Sequence, residues 1–370
     1  MTNISDGFED RFSFELKPWK SIKTGFTHFR NGDIAVAKIS PCLENRKSFV
    51  VRGLPQEIGA GTTELFIFRS GQIIPEYGLL FFKSEFFISN CVGTFNGVVG
   101  QQRVARNTIE EMPFPIPPIG EQKRIIQRVG SIFRMVSEVE NSQTALKDSI
   151  EKSKARILDM AIHGKLVPQD PSEEPAIALL KRINPGFQPS HNLHYEECLP
   201  SGWVYATLGE ISDYGHCVSV STDEIAETEW VLELEDIEKD TGRLLKKVIK
   251  SERAISGSRH VFYKGQVLYS KLRTYLNKVF VAEDCGFCTT EIIPITPKDG
   301  ITAEYLNMYL RSPLFLAYTE QCGYGVKMPR LGTSDARKAI VPVPPTMEQH
   351  RIVTVTKQLF AQIDALADNL

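Results

Sequence analysis

What this chain lacks narrows its function first. No apolar run approaches the roughly 18 residues that a membrane span needs, and the opening MTNISDGFEDRF is too polar for a secretory signal. Seven of the 370 residues are cysteine, an odd number scattered along the chain. That excludes a disulfide framework and points to reduced thiols in a cytoplasm. Cys285 and Cys288 make one C-x-x-C, but no second pair lies nearby to complete a tetrahedral site, and no metal is expected there. His191, His194 and Cys198 fall in a proline-rich stretch too pliant to hold a metal. The single Gly-Lys, at 164–165, is followed by Leu166 at a helix end and makes no phosphate loop. No Asn-Pro-Pro or Asp-Pro-Pro precedes an aromatic, as gripping a flipped adenine would require. No Pro-Asp precedes a Glu-x-Lys for a metal-dependent nuclease, and neither G-x-S-x-G nor H-E-x-x-H occurs. Binding, and no catalysis, is what these absences leave.

What is present is soluble-protein chemistry, with 42% hydrophobic and 24% charged residues. The net charge of −2 hides an uneven arrangement. Residues 223–240 hold nine acids and one lysine, and residues 243–278 hold ten Lys and Arg against one acid, Glu252. Phe262, Tyr263, Tyr269 and Tyr275 interleave with those cations. The block reads either as a solvated basic face or as a surface turned to phosphates.

The chain also repeats itself. PPIGEQKRIIQRV (117–129) returns as PPTMEQHRIVTVT (344–356), 227 positions on. At the same offset TTELFIF (62–68) faces TTEIIPI (289–295), and PFPIPP (113–118) faces IVPVPP (340–345). Upstream, at an offset of 233, residues 31–51 match residues 264–284. A repeat of this length describes two related domains. Each copy reads as short β-rich runs broken by Gly, Pro and Asn, then a helix, which is a mixed α/β globule.

Each copy ends in a proline-spaced strand that runs into the repeated phrase. Paired prolines cannot sit deeper than a helix start; Thr346 and Gln349 have capping-box spacing, and Glu121 favours the positive helix end. From there the apolar positions step 4-3 through Ile125, Val129, Ile132, Val136, Val139, Gln143, Leu146, Ile150, Ser153, Ile157 and Met160, a coiled-coil pattern stopped by Gly164 and Pro168. The second helix reads Ile352, Thr356, Leu359, Ile363, Leu366 and Leu370. Gln143 and Ser153 either fix register or are tolerated polar seam residues. Between the copies, six prolines surround one short apolar helix, AIALLKRI.

The paired P-x-P-P-x-x-E-Q-x-R-I, the stretch ARILDMAIHGKLVPQDPSEEPAIALLKRI (155–183), LPSGW (199–203) and LELEDIEKDTGRLL (232–245) resemble the specificity subunit of type I restriction-modification systems over almost the whole chain. The resemblance implies two mixed α/β target-recognition domains joined by long antiparallel coiled-coil helices. Residues 1–118 would be the first domain, 119–165 the long spacer helix, 166–198 a proline-rich linker, 199–345 the second domain and 346–370 a short second helix. The first domain lacks about 34 residues of the second domain's opening and any counterpart of LPSGW, so it is expected to be incomplete.

Such a subunit would be non-catalytic and cytoplasmic, each domain reading half of a split double-stranded DNA site. Its helices would dock adenine methyltransferase subunits, motor-nuclease subunits would join for cleavage, and S-adenosylmethionine, ATP and Mg would belong to those partners. Docking falls to Glu121, Gln122, Arg124, Ile125, Val129, Ile132 and Val136, with Glu348, Gln349, Arg351, Ile352, Leu359 and Ile363. Residues shared by both domains suit phosphate contact or fold more than base reading. Lys38 and Lys271 are such a pair, and Arg103 and Arg330, flanked by Gln101, Gln102 and Lys327, mark a DNA-facing loop. Arg273, Tyr275, Asn277 and Lys278, with Arg46 and Lys47 in the first copy, are the candidate DNA readers. The rival readings are a coiled-coil adaptor whose basic modules bind protein or RNA, and a silent allele kept as a recombination donor.

Overall fold

The alternation in Ile34, Ala35 and Val36 sends side chains to both faces of a strand, and both faces are covered. A computed structural model describes residues 1–95, 102–189, 199–325 and 328–368, in two units, Met1–Asn141 and Ser142–Leu370. In the first unit a short turn α1 (Trp19–Ile22) precedes β1 (Thr27–Arg30), β2 (Ile34–Ala37), β3 (Ser48–Val50), β4 (Ile58–Gly61) and β5 (Leu65–Phe68). An antiparallel sheet has the order β3-β2-β5, and β1 pairs with β4. On one face Ile34 and Val36 join Leu79, Phe82 and Phe87. On the other, Ala35, Phe49 and Val51 join Ile4 and Leu54. Helices α2 (Pro75–Phe82), α3 (Glu85–Val92) and α4 (Arg106–Glu110) follow, and then α5 (Ile119–Ile162), 44 residues long.

The second unit holds the distal part of α5, then α6 (Ala176–Ile183), β6 (Val204–Thr207), α7 (Leu208–Ile211), β7 (Ser219–Ser221) and β8 (Val231–Leu232). Next come β9 (Ser258–Phe262), β10 (Val267–Ser270), β11 (Val279–Val281), β12 (Gly286–Thr289) and β13 (Ile292–Ile295). The chain continues with α8 (Ala303–Arg311), α9 (Pro313–Cys322), α10 (Thr333–Lys338), β14 (Ile340–Val343) and α11 (Thr346–Ala367). The order β11-β10-β13 repeats that of the first unit, a four-stranded sheet runs β7-β9-β12-β8, and β6 pairs antiparallel with β14. Equivalent serines start the equivalent helices: Ser84 accepts the Phe87 N–H at 3.2 Å and Ser312 accepts the Phe315 N–H at 3.3 Å. The chain is two related mixed α/β domains, each leading into a helix. Among the described residues no helix is long and apolar enough to cross a membrane.

Two expectations change here. Lys154 pairs with Asp364 and lies over the Phe360 ring, while Leu158 and Ala161 pack with Ile352 and Val353, so the end of α5 and α11 run antiparallel. The buried residues are Leu158, Ala161 and Ile162, whereas Ile157 and Met160 of the 4-3 seam are only half-buried. Trp203, Tyr305 and Met308 pack on the same helix end, so the globule, together with the drift of a straight helix against a heptad, decides which face is covered. Gln143 and Ser153 are exposed, and Ser153 bonds back to the Ser149 carbonyl, so neither sits in a packed seam. The second change concerns the proline-rich stretch: Ala176, Leu179, Leu180 and Phe187 are part of the second unit's core. Leu370, like His191, His194 and Cys198, lies outside the described residues.

Candidate nucleic-acid interface

Both units build one loop scaffold from the same residues. In the second, the Lys271 N–H donates to the Glu291 carbonyl at 3.0 Å and the Leu331 N–H to the Lys271 carbonyl at 3.0 Å. In the first, Lys38 donates to Glu64 and Val104 donates to Lys38, again at 3.0 Å each. Arg330 then clamps the Glu291 carboxylate at 3.1 and 3.0 Å, and Arg103 clamps Glu64 at 2.8 and 2.9 Å. The Arg103 hydrogen bonds hold the Glu64 carboxyl below its ordinary range. The paired arginines are therefore committed to carboxylates. They fix the segments at Arg103 and Arg330 to the starts of β5 and β13.

On this scaffold the second unit displays a tight loop. Arg273 and Asn277, both left-handed at φ 50° and 48°, flank the 3-10 turn Thr274–Leu276. Left-handed non-glycine residues are costly unless their surroundings hold them. Here the Arg273 N–H donates to the Pro329 carbonyl at 2.7 Å and Asn277 Nδ2 to the Arg311 carbonyl at 3.2 Å. The anchored turn buries Thr274 and Asn277 and leaves Tyr275 51% exposed. Leu272 bridges Arg330, which ties this loop to a second one where Tyr324 and Arg330 exchange backbone hydrogen bonds of 3.1 and 2.9 Å. Gly325, at φ 100°, takes a backbone shape that L side chains resist, and exposed Tyr324 and Met328 flank that bend.

Other candidate readers turn inward. Lys278 donates to the Leu234 carbonyl at 2.6 Å, and burial lowers its pKa. Arg46 lies over the Phe8 ring, donates to the Lys83 carbonyl at 2.9 Å and pairs with Glu85. Lys47 reaches the Ile4 and Met1 carbonyls at 3.1 and 3.3 Å, and Lys38 lies 5.0 Å over the Phe66 ring. Gln102 is half-buried, its carbonyl accepting from the Ser40 N–H at 2.9 Å. Gln101 and Lys327 lie outside the described residues.

The basic block is not a free stripe. It folds onto the acidic block that precedes it: Arg243 pairs with Glu238, Lys246 with Asp236, Lys250 with Glu227, Arg253 with Asp236 and Glu235, and Arg259 with Glu233. Lys247 pairs with Asp284 and covers the Trp230 ring. Burial alone would push the Asp236 carboxyl up; the Arg253 pair and the Glu233 N–H outweigh it and hold it low. Adjacent blocks of opposite charge neutralise each other once strands bring them side by side. The phosphate-facing reading of the whole block is corrected accordingly.

The repeated Glu-Gln splits into two roles. Gln122 and Gln349 are both fully buried. Gln122 Oε1 accepts from the Ile74 N–H at 2.8 Å while its Nε2 donates to the Gln72 and Pro117 carbonyls at 3.1 and 2.9 Å. Gln349 accepts from Thr302 at 2.9 Å and donates to Gly300 and Pro344 at 3.1 and 3.2 Å. Each amide locks a long helix to its module; neither presents a docking surface. Glu348 is buried too, accepting from Trp203 Nε1 at 3.0 Å and Gln169 Nε2 at 3.2 Å, and burial raises its pKa. Arg351 pairs with Glu173, and Ile352 is buried while Leu359 and Ile363 are half-buried. In the first unit Glu121, Arg124, Ile132 and Val136 are exposed, and Ile125 and Val129 half-buried. Sequence reasoning missed the glutamine locks; their signal was the same residue at the same place in both repeats.

Comparison with known proteins places these features. Residues 200–369 match the family model described as Type I restriction modification DNA specificity domain. The Type I restriction enzyme EcoAI specificity subunit of Escherichia coli is 35% identical over 272 residues, 58% of this chain and 46% of that subunit. The chain thus spans about half of that relative's length. The EcoEI specificity subunit of Escherichia coli is 27% identical across 100% of this chain and 74% of its own. Among solved structures, the HsdS subunit from Thermoanaerobacter tengcongensis aligns at a TM-score of 0.57 and 19% identity, over 100% of this chain and 83% of that one. A chain from a study of complex assembly and conformational transition of the type I R-M system aligns at 0.68 and 20% identity, over 100% and 84%. At these identities the structures speak for the fold.

Proposed function

Since the chain belongs to the specificity-subunit family of type I restriction-modification systems, we propose that it is the non-catalytic DNA-reading subunit of such a complex. Its second unit reads one half of a bipartite target through residues 271–277 together with Tyr324 and Met328. The observation that carries this is the scaffold itself. The residues common to both units, the Lys38 and Lys271 backbone and the two Arg–Glu clamps, are engaged with protein groups, while the loop they hold differs in sequence and presents Tyr275, Tyr324 and Met328 beside Lys271 and Arg273. A constant frame around a variable edge suits modules that read different half-sites. Exposed aromatics offer stacking faces and Arg273 a fork of donors for a guanine edge or a phosphate. Exposed residues of α5 dock adenine methyltransferase subunits, motor-nuclease subunits complete the complex, and S-adenosylmethionine, ATP and Mg act on those partners. Selection of duplexes from a random library by the chain bound to its methyltransferase subunits tests this. Enrichment of a split sequence, one half of which degenerates in the Tyr275→Ala, Arg273→Ala variant, is expected; no enrichment would overturn it.

A further inference from the structure

One face of the module is covered in the second unit and open in the first. In the second unit β6 lies against β14, and nine of the 24 described residues in the main core come from α6 to Tyr214: Ala176, Leu179, Leu180, Phe187, Val204, Ala206, Leu208, Ile211 and Tyr214. They cover Ile293, Ile295, Tyr309, Ala339, Val341 and Val343. The first unit has Phe66, Phe68, Phe81, Met112, Phe114 and Ile116 at the equivalent places. Among the described residues no strand or helix equivalent to β6 and α6 lies over them; Phe66, Phe68, Phe81 and Met112 pack on the core from one side and stay half-buried. A groove of about 620 Å³ opens there, lined by the first five. Ile116 is 57% exposed where Val343 is 0%.

The edge beside the groove is built for one added strand. In residues 113–118 only Phe114 and Ile116 carry a backbone N–H, the rest being proline. Two residues apart on an extended chain, these donors point the same way. Their second-unit counterparts, Val341 and Val343, pair with Ala206 and Val204. Tyr77 fixes this segment by donating to the Pro115 carbonyl at 3.1 Å, as Tyr305 does to that of Pro342 at 2.5 Å. The charges match as well. Glu348 receives the Trp203 N–H and Arg351 pairs with Glu173, whereas their counterparts Glu121 and Arg124 are exposed and hold no such partner among the described residues.

We infer that the first unit's groove binds, by strand addition, a polypeptide segment with the chemistry of residues 173–214: an acid for Arg124, a tryptophan for Glu121, and then a strand with alternate apolar side chains along residues 113–116. Main-chain hydrogen bonds would give the affinity and the phenylalanine-lined groove the side-chain preference.

The test adds a synthetic peptide, LPSGWVYATLGEISDY, to the full chain and measures binding by anisotropy and amide hydrogen exchange. Saturable binding that protects the Phe114 and Ile116 amides, weakens at least tenfold with Trp203→Ala in the peptide, and is lost in the Ile116→Asp chain is expected. Because Ile116 is exposed, that variant should fold, and an unchanged thermal transition checks it. No binding at millimolar peptide would overturn the proposal. So would binding indifferent to Ile116→Asp, or self-association of the chain through this edge that the peptide fails to reverse.

Discussion

Arg330 grips Glu291 through Nε and Nη2 at 3.1 and 3.0 Å, joining the segment at Arg330 to the start of β13. Because Nε and Nη2 are held by the carboxylate, Arg330→Ala should change stability and not base preference. The pair is partly exposed and screened by solvent, so the expected loss of stability is small. Urea unfolding of Arg330→Ala and Arg103→Ala, with half-site selection alongside, checks this; a changed half-site with unchanged stability would return Arg330 to the DNA.

The two buried glutamines should respond alike. Gln349→Ala leaves the Thr302 N–H and the Pro344 carbonyl short of a partner, the Gly300 carbonyl keeping Thr346 Oγ1, and Gln122→Ala leaves one N–H and two carbonyls short, at about 1–3 kcal/mol per unsatisfied group. Hydrogen exchange should show the start of α11 opening in the first variant and that of α5 in the second.

Glu348 gives a pH signature. Its carboxyl pKa is raised, first by burial. A carboxyl raised on folding adds stability below its unfolded value of about 4.3, and that contribution is lost as pH rises through the raised folded value. Wild type should therefore lose stability relative to Glu348→Gln as pH rises above the unfolded value of about 4.3. Glu348→Ala should be destabilised at both ends, because the Trp203 indole N–H loses its acceptor. Urea midpoints for the three proteins at pH 4.5 and 7.5 decide it.

The Arg273–Asn277 loop should matter to DNA and little to folding. Tyr275, 51% exposed, should cost about 1–3 kcal/mol of DNA affinity as Ala if it stacks on a base. Arg273→Ala should flatten the log–log salt slope by about 0.9 if it meets a phosphate. Lys278→Ala should leave that slope alone, since Lys278 is held by the Leu234 carbonyl.

Most of the architecture was legible because repetition doubles every signal. The phrase at Glu121 and Gln122 returning at Glu348 and Gln349 marked both helix starts, and matched strands such as Ile34–Ala37 and Val267–Ser270 marked both modules. The site was less legible because charge counts say nothing of partners. The cations at 243, 246, 253 and 259 look like a phosphate surface until Glu233, Glu235, Asp236 and Glu238 fold beside them. Lys278 and Arg46 likewise looked free but are held by backbone carbonyls. The α5 face was misplaced by a residue because packing of Leu158 and Ala161 against Trp203 depends on a tertiary contact that a heptad pattern does not contain.

The central claim is that this chain chooses the DNA target of a type I complex and that its second unit reads one half. Adenine methylation should be mapped in cells carrying the methyltransferase subunits with the wild-type chain, with Arg273→Ala, Tyr275→Ala, or with no chain. A split motif present only with the chain, whose one half relaxes in the loop variant while the other half stays intact, is the predicted result. A motif that persists without the chain, or that the loop variant leaves wholly unchanged, would contradict it.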